Sequence, residues 1–298
     1  MVGLNRLNDE CDLYWFPQYN APWDMPWPSV VTVHDLIQLR YNQLAFPNWK
    51  VAAAKSILRR TLKKARLIVC VSEATKTDLL EENAGLEDKI RVVYNGVSSR
   101  WQSPSIRGVR RVNEELGSTP FLLSVSQKKP HKNQKLLLEL IDRLHGQGYP
   151  HKLVLVGRNT SQWKETFREW SRGTKALDQV IDLGEIDDEL LGGLYSKASL
   201  FLLPSLYEGF GLTVLEAMAA GTPTVVSNRG ALPDTVGKAG LLLDPLDLDS
   251  WEEEVVKLLN STSESSRLSQ LGREHASERS WEAKTSQLVK VFEEALQT

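Results

Sequence analysis

Short apolar or β-branched runs recur along this chain, and nearly every one is followed by a longer segment of helical periodicity. "SVVTV" precedes a helix around 49–66, "RLIVCVS" precedes a helix from about 74, and "KIRVVYNG" closes this first series. A charged, loop-like stretch from about Ser98 to Thr119 follows. The alternation restarts with "FLLSVS" and a helix from Asn133, then "KLVLVG" and a helix through Trp170, and it continues through "QVIDLG", "SLFLLP", "TPTVVS" and "GLLLD". Strands that alternate with helices build βαβ units and parallel sheets covered on both faces. The expectation is therefore an α/β chain with one domain over residues 1–105, a second over 106–280, and a C-terminal amphipathic helix, "WEAKTSQLVKVFEEAL", within 281–298. Only about four strand candidates precede the charged stretch, few for a sheet that needs cover on both faces. Either the first domain is small or its start is missing.

A length of 298 residues suits roughly two domains. The 41% hydrophobic and 25% charged residues exclude a disordered or fibrous class. Net charge is −2; the first 120 residues carry 16 basic and 13 acidic residues against 20 and 25 in the rest, an asymmetry too small to suggest nucleic acid. Cys70, inside "LIVCV", reads as a buried free thiol remote from Cys11, which fits a reducing cytosol. No apolar stretch approaches the ~20 residues that span a bilayer, and "MVGLNRLNDECD" lacks an apolar signal core. A cytoplasmic protein is expected.

The densest signal lies in "SLFLLPSLYEGFGLTVLEAMAAGTPTVVS". A buried strand ends at Pro204, a loop carries Glu208, and a helix runs from near Gly211 to Gly221, where glycine is the usual stop. Ligands of open α/β sheets sit outside the carboxyl ends of the strands, so Glu208 and the amides of Phe210, Gly211, Leu212 and Thr213 line a crevice. Free N–H groups and the positive end of a helix dipole favour a diphosphate there. Glu216, one turn into the helix, interrupts the packing stripe of Val214, Leu215 and Met218 unless its carboxylate meets a donor, and a vicinal diol such as a ribose offers two. Taken singly, Glu208 could be merely solvated and Glu216 merely exposed.

Taken together, the strand, proline, glutamate, Gly-Phe-Gly-Leu, second glutamate and "AMAAGTPTVVS" resemble the signature of retaining glycosyltransferases of family 4, in its mannosyltransferase-like group. The resemblance implies a GT-B fold: two Rossmann-like domains with parallel sheets facing across a cleft, the last helix packing back toward the first domain. It spans about residues 12–296, strongest from 120 to 245, and lacks the family's first strands and glycine-rich loop, so the first domain is expected to be incomplete. In "FLLSVSQKKPHKNQKLLLEL" the family supplies a lysine to the donor diphosphate, here Lys132. Gln127 stands where arginine is common, a loss of one charge for which Lys128 and Lys129 could compensate. "SVVTVHDL" resembles the family's His-Asp pair, which assigns His34 to the transferred sugar. "VIDLGEIDDELLGGLYSKASLFLLPS" resembles the segment that contacts the nucleobase, through the backbone of Gly184, Glu185 and Ile186. Glu208 is then the group that meets the donor sugar and Glu216 the one that holds the ribose.

The implied reaction moves a hexose, mannose favoured, from a nucleotide-diphosphate sugar such as GDP-mannose to a saccharide or lipid-linked saccharide, as in polysaccharide biosynthesis, with no metal and no cofactor. Two other readings stand beside it: a nucleotide-sugar-binding but inactive truncated or split module, and a GT-B phosphorylase. "DLD" at 247–249 has metal-binding spacing but precedes a helix, which capping explains. The five histidines and two cysteines are scattered, so no metal site is expected. "KVAAAKSILRRTLKKAR", residues 50–66, holds basic residues and no acid. It reads as a core helix with a solvated face (Lys55, Arg59, Lys63, Arg66) opposite Val51, Ala54, Leu58, Leu62 and Ala65, or as a peripheral contact with the inner face of an anionic membrane. The aromatic run "YWFPQYNAPWDMPWP" could stack sugars or pack as a proline-rich loop.

Overall fold

The runs SVVTV and FLLSV are buried at every position, as strands covered on both faces must be. The structure, a computed structural model, describes residues 11–22, 24–40, 48–172 and 177–297. Trp23, within the aromatic run, lies outside them. The chain divides into two units, one of residues 1–96, 208–210 and 281–298, the other of residues 97–207 and 211–280.

The first unit contains β1 (Tyr14–Phe16), β2 (Ser29–Val33), α1 (Ile37–Arg40), α2 (Asn48–Lys64), β3 (Leu67–Cys70), α3 (Glu73–Glu82) and β4 (Ile90–Val92). Its four strands are parallel and lie in chain order, β1-β2-β3-β4. One face packs Val31, Val33, Ile68 and Cys70 against Leu36, just after β2, and Leu58, Leu62 and Leu79 from the helices. The other packs Val30, Leu67 and Val69 against Val291 and Ala295 of the C-terminal helix Trp281–Gln297. That helix is fixed further by Arg91, whose Nε donates to Glu294 at 2.9 Å. On α2 the apolar face is the expected one, with Leu58 and Leu62, and Ala65 just past the helix end, almost fully buried. Burial of the Cys70 thiol pushes its pKa up to about 12.

The second unit runs α4 (Ile106–Leu116), β5 (Phe121–Val125), α5 (Gln134–Gly146), β6 (Lys152–Val156), α6 (Ser161–Ser171), β7 (Val180–Gly184), α7 (Asp188–Lys197), β8 (Leu200–Leu203), α8 (Leu212–Ala220), β9 (Thr224–Ser227), α9 (Leu232–Val236), β10 (Leu241–Leu243), α10 (Leu248–Asn260) and α11 (Thr262–Ser277). Its sheet is wholly parallel, in the order β10-β9-β8-β5-β6-β7. The order reverses between β5 and β8, which makes that pair the topological switch point. Trp251, Leu122, Leu202 and Leu140 anchor the core of one face. At the start of α10, Asp247 accepts from Ser250 N at 3.2 Å, so the first aspartate of "DLD" is a helix cap.

One sequence expectation needs correction here. The stretch Ser98–Thr119 is not all loop, because α4 lies within it. Ser105 caps that helix, Gly108, Val112 and Leu116 form its buried stripe, and a Cβ on Gly108 would overlap the Glu189 carbonyl. A three-residue stripe that includes a glycine is a weak periodic signal among so many charges. The two compact units divide at 96/97. The segment that follows is held to the second unit: Val97 N donates to Arg279 O at 2.8 Å, and Trp101 stands edge-on to Tyr195 at 5.6 Å.

Candidate functional site

At the switch point of the second unit the loops after β5 and β8 meet. Leu206 N donates to His131 O at 2.7 Å. The first loop closes in a short 3-10 turn, Pro130–Lys132, and Asn133 takes the left-handed conformation (φ 51°) just before α5, its side chain donating to Pro245 O at 2.7 Å. Lys132 is thereby held at the turn's end, half-buried, with its N–H on Lys129 O. Gln127 is exposed at the same loop. Burial and the neighbouring Lys132 and Lys129 charges hold the His131 pKa down at about 4, so this imidazole is neutral at pH 7.

The second loop enters α8 at Gly211, whose φ of 99° excludes other residues and whose Cβ would stand 2.8 Å from Leu232 Cδ2. No side chain caps α8; Val214 N turns back to Gly211 O, while Leu212, the first helical residue, is exposed and Thr213 is half-buried. An uncapped helix start presents orphan N–H groups to whatever lies in front of it. The structure thus brings the loop of Lys132 and the approach to α8 together.

Glu216 is half-buried, and its carboxylate already has a donor: Tyr195 OH bonds Oε2 at 2.8 Å. The need for a partner was legible, but half of it is met by the protein. Burial raises the Glu216 pKa above the ordinary carboxylate value, against the Tyr195 bond and the Arg100 charge, which lower it. Gly184 ends β7, and Glu185 and Ile186 follow it, at the carboxyl edge of the same sheet, with β6 between β7 and β5. Gly184 N–H is committed to Asp182 Oδ1 at 3.0 Å, and its carbonyl accepts from Gly157 N at 2.7 Å.

Lys128 cannot compensate for Gln127. It is 2% exposed, and its ammonium pairs with Asp182 and donates to Asn159 Oδ1 at 2.7 Å and Gly157 O at 3.2 Å. Nothing in "QKKP" separates it from exposed Lys129; the one sequence signal is an aspartate inside the strand "VIDLG".

In the first unit, His34 is exposed at the end of β2, and its Nε2 lies 2.9 Å from Pro17 O. Because a carbonyl oxygen only accepts, Nε2 is the donor in that bond. His34 borders two cavities, one of about 190 Å³ shared with Trp15, Tyr94, Trp281 and Lys284, the other of about 120 Å³ shared with Gln18, Asn20 and Asp35. The tripeptide of Glu208, Gly209 and Phe210 groups with this unit. Ser72 Oγ donates to Gly209 O at 2.9 Å and Thr75 Oγ1 to the same oxygen at 3.3 Å, while the Phe210 ring lies 6.3 Å from that of Tyr94. A Cβ on Gly209 would overlap the His34 carbonyl oxygen. His34 and Glu208 are therefore carried by adjacent backbone. Ser72 and Thr75 escaped the sequence reading, because a serine before a helix signals a cap and nothing more.

Among the described residues, no group of three or more His, Cys, Asp or Glu is gathered to hold a metal ion, and no helix is long and apolar enough to cross a membrane.

Residues 106–275 match the family described as "Glycosyl transferases group 1", and residues 12–101 match that described as "Glycosyltransferase Family 4". The chain is 30% identical over 285 residues to the O-antigen chain mannosyltransferase B of Escherichia coli, across 94% of this chain and 74% of that protein. It is 30% identical over 291 residues to the MMP alpha-(1->4)-mannosyltransferase of Mycolicibacterium hassiacum, across 91% of this chain but 66% of the relative, just under two thirds of its length. Among solved structures, the Anabaena HepE complex with UDP and glucose superimposes with a TM-score of 0.78 at 19% identity, covering 90% of this chain and 72% of that one. Sucrose-phosphate synthase from Thermosynechococcus elongatus does so with a TM-score of 0.79 at 23% identity, covering 95% and 73%.

Proposed function

Because this chain belongs to glycosyltransferase family 4, we propose that it moves a hexose, mannose in preference, from a nucleotide-diphosphate sugar to a saccharide or lipid-linked saccharide acceptor with retention of configuration. Its two parallel sheets are those of the GT-B fold. The observation that carries the proposal is the uncapped start of α8 at the switch point, where its loop is bonded to the loop of Lys132. There the amides of Gly211, Leu212 and Thr213 and the Lys132 ammonium receive the diphosphate, and they take up the charge that grows on it as the glycosidic bond breaks. Gln127 borders the same phosphates as a neutral group. Glu216 holds the ribose, and the backbone of Glu185 and Ile186 faces the base. Glu208 and His34 are assigned to the donor sugar. The names of the two mannosyltransferase relatives support mannose.

Calorimetric titration with GDP-, UDP-, ADP- and dTDP-sugars in EDTA tests this reading. One nucleotide class is expected to bind without metal, and Lys132→Ala and Glu216→Ala should each weaken it by roughly 10–100-fold, the worth of a charge-assisted hydrogen bond. Binding with no transfer to any saccharide acceptor would favour the inactive-module reading. Binding indifferent to both substitutions would place the nucleotide elsewhere and end this assignment.

We further propose that the protein works at the inner face of an anionic membrane, engaged through α2. That helix turns Trp49 (68% exposed) and Ile57 (39% exposed) outward together with Arg59, Lys63 and Lys64, opposite its buried stripe. Cosedimentation with phosphatidylglycerol vesicles should exceed that with phosphatidylcholine. Arg59→Gln with Lys63→Gln should weaken it by about 30-fold, at ~1 kcal/mol per charge. Equal partition to both lipids would show that the face is only solvated.

A further inference from the structure

Tyr195 is fully buried, its ring edge-on to Trp101 at 5.6 Å and tilted against Phe201 at 6.0 Å, and its only polar atom outside the backbone reaches Glu216 Oε2 at 2.8 Å. The phenol is thus clamped by packing on two sides and has one outlet. A buried hydroxyl needs a partner, but an apolar ring would fill this space without one. The glutamate, by contrast, is a flexible side chain, and no other hydrogen bond reaches it among the described residues. Oε1 therefore stands without a protein partner, and Oε2 is fixed.

We infer that Tyr195 is a positioning residue for the donor nucleotide, holding Glu216 Oε2 so that Oε1 is presented, already oriented, to a ribose hydroxyl. This rests on the proposal that Glu216 receives the ribose. Three elements build the support: the turn Ser99–Gln102 supplies Trp101 and Arg100, α7 supplies Tyr195 and Asp188, and α8 supplies Glu216. Arg100 is paired with Asp188 at 2.7 Å and lies over the Trp101 ring at 4.6 Å, so its charge is tied down beside the carboxylate. The charged and titratable groups that act on Glu216 are these three, Tyr195, Arg100 and Asp188.

Pre-ordering one rotamer-rich side chain is worth about five-fold in affinity. Tyr195→Phe should therefore weaken binding of the preferred nucleoside diphosphate (from GDP, UDP, ADP and dTDP) by about that factor and leave kcat within about two-fold. Because the phenol stabilises the ionised carboxylate, its loss should also move the acid limb of nucleotide binding to higher pH. Tyr195→3-fluorotyrosine, a stronger donor in the same space, should move the limb to lower pH. Neither variant should alter the affinity for the nucleotide lacking the ribose hydroxyl that Glu216 accepts, and Tyr195→Phe should add nothing to Glu216→Gln. If Glu216→Gln leaves nucleotide affinity unchanged, the ribose assignment itself fails. If Glu216→Gln weakens binding while the two tyrosine variants shift only thermal stability and not the pH limb, Tyr195 is structural and the inference is overturned.

Discussion

Gly209→Ala is expected to lower kcat by at least about 10²-fold while nucleotide affinity stays within two-fold. The added methyl would overlap the carbonyl oxygen of His34 and stand 2.6 Å from Asp35 Cβ. Neither obstacle yields cheaply, since both belong to the segment that leaves β2, and the His34 carbonyl is backbone. The Glu208–Phe210 tripeptide must move instead, away from the Ser72 and Thr75 hydroxyls that hold the Gly209 carbonyl. Both hydroxyls are fully buried, so the displaced carbonyl leaves them without that acceptor. Glu208, which we propose meets the donor sugar, moves with the tripeptide, and a shift of about 1 Å in a group that positions the reacting sugar can cost ~10²-fold. Lys132, the start of α8 and Glu216 lie in the other unit's residues, which is why binding should survive. Steady-state kinetics with the preferred donor, beside calorimetry with its nucleoside diphosphate, separates the two. A variant with unchanged kcat would remove the tripeptide from the reaction.

The sheets were legible because a parallel strand covered on both faces writes itself as an uninterrupted apolar run, as SVVTV and FLLSV do. A strand ending at Pro204 and another followed by the turn at Pro130 likewise put Glu208 and Lys132 in loops at a sheet's carboxyl edge. What escaped the sequence is of another kind. Tyr195 sits in "LYSKAS", and only the packing of α7 against α8 turns its hydroxyl to Glu216. Lys128 and Lys129 are adjacent and chemically identical, yet one is sealed and the other exposed, because the partners of Lys128 come from 29 to 54 residues further along the chain. The polar contacts that orient a site are long-range, and a single sequence records only the groups, not the pairing. Where a reading relied on local chemistry, as at Asp247, the structure returned the cap; where α4 offered only Gly108, Val112 and Leu116 as its stripe, charge concealed a helix.

Lys128→Met should destabilise the second unit by about 3 kcal/mol, the lower end of what breaking a buried ion pair costs. The lower end applies because Asp182, the partner left behind, keeps a side-chain exposure of 22% and regains some water, whereas Lys128 has 1%. Burial pulls the lysine pKa down and Asp182 pulls it up, with burial the larger effect. In the native state the ammonium is therefore harder to keep protonated than in the unfolded chain, so this group's contribution to stability is present above the unfolded lysine pKa and lost as pH falls through the folded one. The charge is a cost that the fold carries for what it joins: the loop after β5, the Gly157 carbonyl and Asn159 after β6, and Asp182 on β7. Removing both charges should then hurt less than removing one. Lys128→Met with Asp182→Leu is expected to recover at least half of the loss in a urea titration, as apolar replacement of a whole buried pair commonly does. Nucleotide affinity should not return with it. The backbone of Gln127 and Lys132 is aimed by this loop, and an apolar contact restores burial energy without restoring the three directions in which the Lys128 ammonium holds it.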